Sequence, residues 1–321
     1  QTVDSQLAQG VNAIIGAASS GVSLTVIDKI TTNGVVQFSP ANTAPNLTTY
    51  EDNGLYFRNA PSDVLQGAVL AGKAIDAGIA NMATIARQDP YGEGLAAAVV
   101  KDFTAAGGNI TSALLYDPAA PSFEAEVAEI VAGAPEAVVV VGFDESTKLI
   151  QEMIKQGAGP DKIQLYLVDG NASTTAFAEF PAGTMAGTVA TFPSGSVDVQ
   201  TFNDRMLAFD PSLTDFLYGP QSFDATMLIA LAAQQAGCAD GTSIAANLIS
   251  VAGDGGEECT TYADCVALID AGTAIDYMGV NGGSDFNQYG DLLEGTISIN
   301  EYTSNTEYEE IGSLTAVVPE P

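Results

Sequence analysis

The sequence predicts an α/β architecture with mostly parallel sheets, and three observations lead there. Short apolar runs alternate with longer amphipathic ones through the first 190 residues. Most of the short runs are apolar throughout, as strands covered on both faces are. The length of 321 residues accommodates two domains of ordinary size, each with its own core.

Taken in order, the pattern places the end of a helix over 2–9, a strand over 11–15 and the small-residue loop GAASSG, then another helix. Further strands are expected at 35–38, 55–57, 82–86, 113–116, 137–141, 164–168 and 188–191. A helix over 64–77 is read from apolar residues at 64, 65, 68, 69, 70 and 75, the spacing of one helical face. Others are expected at 92–106, opening after Tyr91, at 122–132, behind Pro121, and at 146–156, ending at Gly157. In the second half, 221–236 and 242–251 read as helices, and 277–299 as short strands with glycine-rich turns. The tail AVVPEP, 316–321, reads as a flexible end or linker. Strand–helix alternation of this kind builds parallel sheets through right-handed crossovers. The lobes are expected at 1–119 and 120–240, with 241–321 supplying crossover segments, part of which return to the first lobe, and the tail.

Composition excludes several functions. Asp and Glu number 40 against 9 Lys and Arg, a formal charge of −31. No basic residue follows Arg205, so a nucleic-acid groove or attraction to an anionic membrane has no charge to rest on. There is no His and no Trp. Ser-His-Asp and Cys-His mechanisms and His-ligated zinc are thereby removed, and a non-enzymatic role is expected. No cofactor motif is present: GxGxxG and the phosphate-binding P-loop are both absent. The dispersed acids read first as a solubility device suited to saline surroundings. The nearest approach to a calcium loop, 285–291 (DFNQYGD), lacks the terminal Glu, and no metal site is expected.

Three cysteines occur, Cys238, Cys259 and Cys265. A short disulfide loop between Cys259 and Cys265 in an exported protein is the preferred reading, and three reduced thiols the alternative. No run of 18 apolar residues is present.

Ligands of open α/β sheets sit outside the carboxyl ends of strands. Those ends carry GAASSG with Ser20, SPANTAP with Ala41 and Thr43, RQDPYGEG with Tyr91, GFDES with Phe143, and DGNAS with Asp169. Hydroxyls and backbone N–H groups suit an anion, one carboxylate suits a cation, and two aromatics could wall a pocket. That is the inventory for a free α-amino acid, a zwitterion. Singly, each residue also has an ordinary structural use: Ser20 and Asp169 as helix caps, Thr43 in a turn, Tyr91 in a core.

Along AIIGAASSG (13–21), GVVQFSPANTAPNLT (34–48), YFR with the downstream Gln66–Gly67, IARQDPYGEG (85–94), VVGFDE (140–145) and YMGVNGGSDFNQYGD (277–291), the chain resembles the type I periplasmic binding proteins. More narrowly, it is similar to the branched-chain amino-acid (leucine/isoleucine/valine) binding proteins of ABC transporters. The resemblance covers nearly the whole chain. It implies two α/β lobes closing on a small amino-acid ligand, and a permease as partner. Ser20 and Thr43 would hold the ligand carboxylate, and the Ala41 carbonyl, the Thr43 hydroxyl and Asp169 would face its ammonium. Tyr91 and Phe143 would line the side-chain pocket from the two lobes. Two positions depart from the family: Asp169 stands where Glu is frequent, and Phe143 where Tyr is common.

Family members begin with a strand, a helix and a second strand ahead of the helix that opens this chain. The resemblance therefore implies that strand 11–15 has a parallel neighbour outside this sequence, from an additional N-terminal segment or a strand-donating chain. The expected setting is periplasmic or extracellular, with a possible membrane tether in such a segment. Three further readings compete with amino-acid capture: a receptor for amides, urea or aromatic acids; a structural or surface-assembly protein reusing the fold; and an enzyme, which no nucleophile–base pair supports.

Overall fold

The computed structural model describes residues 1–195, 199–253 and 255–319 of the chain. The elements run in the order α1 (Thr2–Ala8), β1 (Ala13–Ile15), α2 (Ser20–Thr31), β2 (Val36–Ser39), a 3-10 turn (Pro45–Leu47), β3 (Tyr56–Arg58), α3 (Asp63–Asp76), β4 (Asn81–Arg87), α4 (Pro90–Ala105) and β5 (Asn109–Tyr116). They continue with α5 (Glu124–Gly133), β6 (Ala137–Val141), α6 (Ser146–Lys155), β7 (Gln164–Val168), β8 (Val189–Ser194), α7 (Gln200–Phe209), α8 (Gly219–Ala236) and α9 (Gly241–Val251). The last are β9 (Glu257–Cys259), α10 (Tyr262–Asp270), β10 (Ile275–Tyr277), β11 (Glu294–Tyr302) and β12 (Tyr308–Val317).

Two compact units form. The first comprises Gln1–Ser62, Ser194–Thr296 and the chain from Thr315 on; the second comprises Asp63–Pro193 and Ile297–Leu314. This corrects the expected division at 119/120. β4 pairs in parallel with β5 on one side and with β6 on the other, so residues 63–119 build the same sheet as those that follow. Strand–helix alternation shows that strands are present but not which sheet each one joins.

In the second unit, the sheet follows the order β12-β11-β8-β7-β6-β4-β5. Its β6, AVVVV, shows why the strand is apolar at every position. Val138 and Val140 enter a core with Phe123, Val127 and Ile130 on one face; Ala137, Val139 and Val141 enter another with Leu70, Leu95 and Val99. With side chains alternating across the sheet, two covered faces require an unbroken run. Glu136 fixes the start of β4 by accepting from the N–H groups of Ala80 and Asn81 at 2.7 and 2.8 Å. α4 starts at an Asp89 cap, whose carboxylate accepts from the Gly92 N–H at 2.9 Å.

In the first unit, β1-β2-β3 form a parallel sheet, and β9 and β10 pair in parallel. Val36, Phe38 and Phe57 pack with Leu228 and Leu231 of α8 and with Ile244 and Leu248 of α9. β1 pairs with β2; among the described residues its other edge has no partner strand. The disulfide Cys259–Cys265 ties β9 to α10, with Cα atoms 5.3 Å apart. Cys238 is exposed and its thiol donates to Asp240.

The tail differs from the expected flexible end. Ala316 and Val317 complete β12, and the Val318 N–H donates to the Leu293 carbonyl at 2.9 Å. Glu320 and Pro321 fall outside the described residues. Within segment 285–291, Asp291 is taken by Arg58, and Asn287 folds a local turn by accepting from the Tyr289 and Asp291 N–H groups.

Candidate functional site

Six residues were expected to form the site, and the structure assembles them as two groups, one in each unit. The first group lies in the loops after β1 and β2. Ser20 is the first residue of α2, and its hydroxyl oxygen accepts from the Thr43 and Ala44 N–H groups, both at 3.3 Å. It therefore joins two loops rather than capping its own helix. Thr43 is 1% exposed, and among the described residues its hydroxyl has no hydrogen-bond partner. Ala41 is buried on the same loop, its N–H donating to the Ser39 hydroxyl at 3.3 Å.

The scaffold under this group was not read from the sequence. Ser39 donates to the Ala17 carbonyl at 2.7 Å, and Asn42 donates to the carbonyls of Ala17 and Ala18 at 3.0 and 2.9 Å. Tyr56 donates to the Asn42 amide oxygen at 3.0 Å. Arg58, fully buried, donates to the Ala44 carbonyl at 2.9 Å and forks onto Asp291 at 2.7 and 2.6 Å. Thr48 completes the set by accepting from Arg58 and donating to Asp291. A bidentate guanidinium–carboxylate pair whose two members both engage Thr48 is a rigid base for a loop.

A second buried carboxylate shapes the segment 277–281. Asp224 accepts from the Tyr277 hydroxyl at 3.0 Å and from the N–H groups of Val280 and Asn281 at 2.9 and 2.8 Å. Burial raises its pKa, against the lowering effect of those donors. A side chain at Gly279 would strike this carboxylate, which accounts for one glycine of the glycine-rich stretch.

The second group lies at the ends of β4, β6 and β7. The Tyr91 hydroxyl donates to Asp169 Oδ1 at 2.9 Å, and the Gln66 amide donates to the same oxygen at 3.0 Å. Gln66 also reaches the Thr191 carbonyl and hydroxyl, at 3.1 and 3.2 Å. Tyr91 and Phe143 stack with centroids 5.4 Å apart and planes 6° from parallel. The Arg87 guanidinium lies 4.0 Å over the Phe143 ring. Arg87 itself is fixed by Asp89 and Glu145, each at 2.7 Å. Glu145 also accepts from the Tyr116 hydroxyl at 3.0 Å; burial, with Glu145 second, pushes the Tyr116 pKa well above its ordinary range. Gly170 permits the close packing, since a Cβ there would sit 2.8 Å from the Tyr91 hydroxyl and 2.9 Å from Phe143.

Three readings are corrected. Tyr91 and Phe143 do not come from two lobes: both belong to the second unit. Nor do they present two open aromatic walls, because Tyr91 covers one face of Phe143 and Arg87 lies over the ring as well. Asp169 caps no helix, for a turn follows β7.

The profile of the receptor family ligand binding region matches residues 1–305. A Leu/Ile/Val-binding protein homolog of Brucella abortus is 30% identical over 244 residues, 74% of this chain and 64% of that protein. A chemotactic signal transduction system substrate-binding protein of Halobacterium salinarum is 28% identical over 283 residues, 85% of this chain and 65% of that one. The chain spans less than two thirds of the length of the curated relatives it matches. Among solved structures, a leucine-binding protein from Thermotoga maritima superposes with a TM-score of 0.78 at 19% identity, over 95% of this chain and 80% of that one. With parallel sheets, ligand-type loops at strand ends and a match from residue 1 to 305, the chain belongs to the receptor family ligand binding region and has the fold of the type I periplasmic binding proteins.

Proposed function

We propose that the protein is the solute-binding component of an uptake system outside the cytoplasm. It captures a small amino acid, branched-chain or similarly aliphatic, for delivery to a membrane permease. The observation that carries the reading is Thr43: a hydroxyl 1% exposed and, among the described residues, without a partner, beside a Ser20 hydroxyl that accepts from two N–H groups and has its own proton to give. Buried donors without acceptors are costly, and a carboxylate satisfies both. Asp169 and the Ala41 carbonyl then take the ammonium. The covered Phe143 ring favours an aliphatic side chain over a stacked aromatic one. The Brucella relative's name points the same way. The Cys259–Cys265 disulfide fits an oxidising compartment.

Titration calorimetry with L-leucine, L-isoleucine, L-valine, acetamide and benzoate tests the reading. Aliphatic amino acids are expected to bind. Asp169→Asn is expected to weaken them by about 10- to 100-fold, the loss of a charge-assisted hydrogen bond. Thr43→Val is expected to weaken them about tenfold. Binding of benzoate or acetamide in place of amino acids, or an unchanged affinity in Asp169→Asn, overturns it.

A second reading concerns the recipient. The Halobacterium relative serves a chemotactic system by its name, and it aligns with 85% of this chain. Delivery to a sensory transducer instead of a permease leaves the ligand chemistry unchanged. Capture of a chemoreceptor rather than a permease by the ligand-loaded protein favours it.

A further inference from the structure

Arg87 has no part in the ligand contacts proposed above, yet it stands at the head of a continuous stack. Its guanidinium is held from two sides by Asp89 and Glu145 and lies 4.0 Å from the Phe143 centroid. Phe143 stacks on Tyr91 at 5.4 Å, and the Tyr91 hydroxyl donates to Asp169 at 2.9 Å. The same Glu145 oxygen that pairs with Arg87 accepts from the Phe143 N–H at 3.2 Å, so one carboxylate fixes both the cation and the backbone of the ring beneath it. The Tyr91 hydroxyl in turn accepts from the Gly170 N–H at 3.2 Å, which joins the stack to the turn that carries Asp169.

We propose that Arg87 is a positioning residue: acting through Phe143 and Tyr91, it sets the orientation of the Asp169 carboxylate and thereby the affinity for the ammonium of the solute. The cation over the ring face is attracted by the ring quadrupole, and its two carboxylate anchors prevent it from following solvent. Phe143, half-buried, is thus held against Tyr91. Tyr91 cannot tilt away without giving up both its ring contact and its bond to Asp169. The affinity part of this inference rests on the amino-acid reading; the geometric part does not.

The test uses ring-labelled tyrosine in the full chain, with Tyr91 assigned among the 11 tyrosines by the peak lost in Tyr91→Phe. Arg87→Met is expected to shift the Tyr91 ring resonances and to weaken L-leucine binding about tenfold. Arg87→Lys, which keeps a cation but not the fork, is expected to lie between. In a Phe143→Leu background, Arg87→Met is expected to cause no further loss of affinity, since the intermediary is gone. If Arg87→Met does not fold, Phe143→Leu alone must shift the same Tyr91 resonances. Tyr91 resonances unchanged in Arg87→Met, or full additivity in the double variant, overturns the proposal. A native protein that binds no L-leucine removes the amino-acid reading instead, and the ring resonances still decide the positioning.

Discussion

Arg58 and Asp291 show what single residues contribute here. A guanidinium with 0% exposure forks onto a carboxylate 233 positions away, and both also engage Thr48. Removing one partner strands a buried charge, so Asp291→Ala is expected to cost about 3–5 kcal/mol in urea unfolding. Replacing both, in Arg58→Met with Asp291→Leu, is expected to recover most of that loss, because two apolar groups need no solvation. A double variant as unstable as Asp291→Ala contradicts this account. The same pair shows where reading from sequence stops. The positions of Ser20, Thr43 and Asp169 after strand ends were legible, because each follows a short apolar run. Arg58, Gln66 and Arg87 were not, because their partners lie far off along the chain: Gln66 meets Asp169 across 103 positions and Arg87 meets Glu145 across 58. Nothing local marks such a side chain as buried and paired.

Elements were legible in proportion to how completely they are covered. β6 and β7 are apolar runs buried nearly throughout, and their limits could be read directly. β12 could not: nine of its ten residues are exposed, so it carries no alternation for a pattern to detect. α7 and α10 each bury one residue, Phe202 and Cys265, too little to write a helical period into the sequence. Where elements touch closely, small side chains decide. At Gly67 on α3, a Cβ would sit 2.5 Å from the Ala98 Cβ and 2.9 Å from the Val99 nitrogen on α4. Alanine ordinarily gains about 1 kcal/mol over glycine inside a helix. Here the overpacking is larger, and Gly67→Leu is expected to destabilise by about 2–4 kcal/mol, measured by thermal unfolding. An unchanged melting temperature shows that α3 and α4 separate freely. The disulfide acts at the same scale: its closed loop is short, so Cys259→Ser with Cys265→Ser is expected to cost about 2–3 kcal/mol by chain entropy.

Across the whole molecule, the surface charge dominates the response to solvent. A formal charge of −31 with 9 basic residues repels itself at every range that salt does not screen. The melting temperature is expected to rise from about 0.1 M to 1 M salt, equally for NaCl and KCl, as the screening length shrinks from about 10 to 3 Å. A flat response refutes it. Acidity works in the same direction. Burial holds Asp224 and Asp52 above the ordinary carboxylate value of 3.8, so as pH rises the folded chain keeps protons that the unfolded chain has released. Their contribution is greatest below 3.8 and is lost as pH climbs through the raised values. Glu136, held below 4.5 by two backbone N–H groups, acts oppositely and loses its contribution as pH falls. Stability is therefore expected to fall as pH climbs through the raised values of Asp224 and Asp52 and, for the Glu136 part, as pH drops below 4.5, measured by melting at constant ionic strength. The discontinuous make-up of the first unit has a consequence in time. Residues 1–62 leave the ribosome early, yet Arg58 meets its carboxylate only after a further 233 residues. At about 5–20 residues per second that is a wait of roughly 10–50 s. The second unit's sheet, mostly contiguous in the chain, has its β4–β7 strands to pair meanwhile. Residues 1–62 therefore spend that wait without the later segments of their own unit, accessible and open to binding by chaperones.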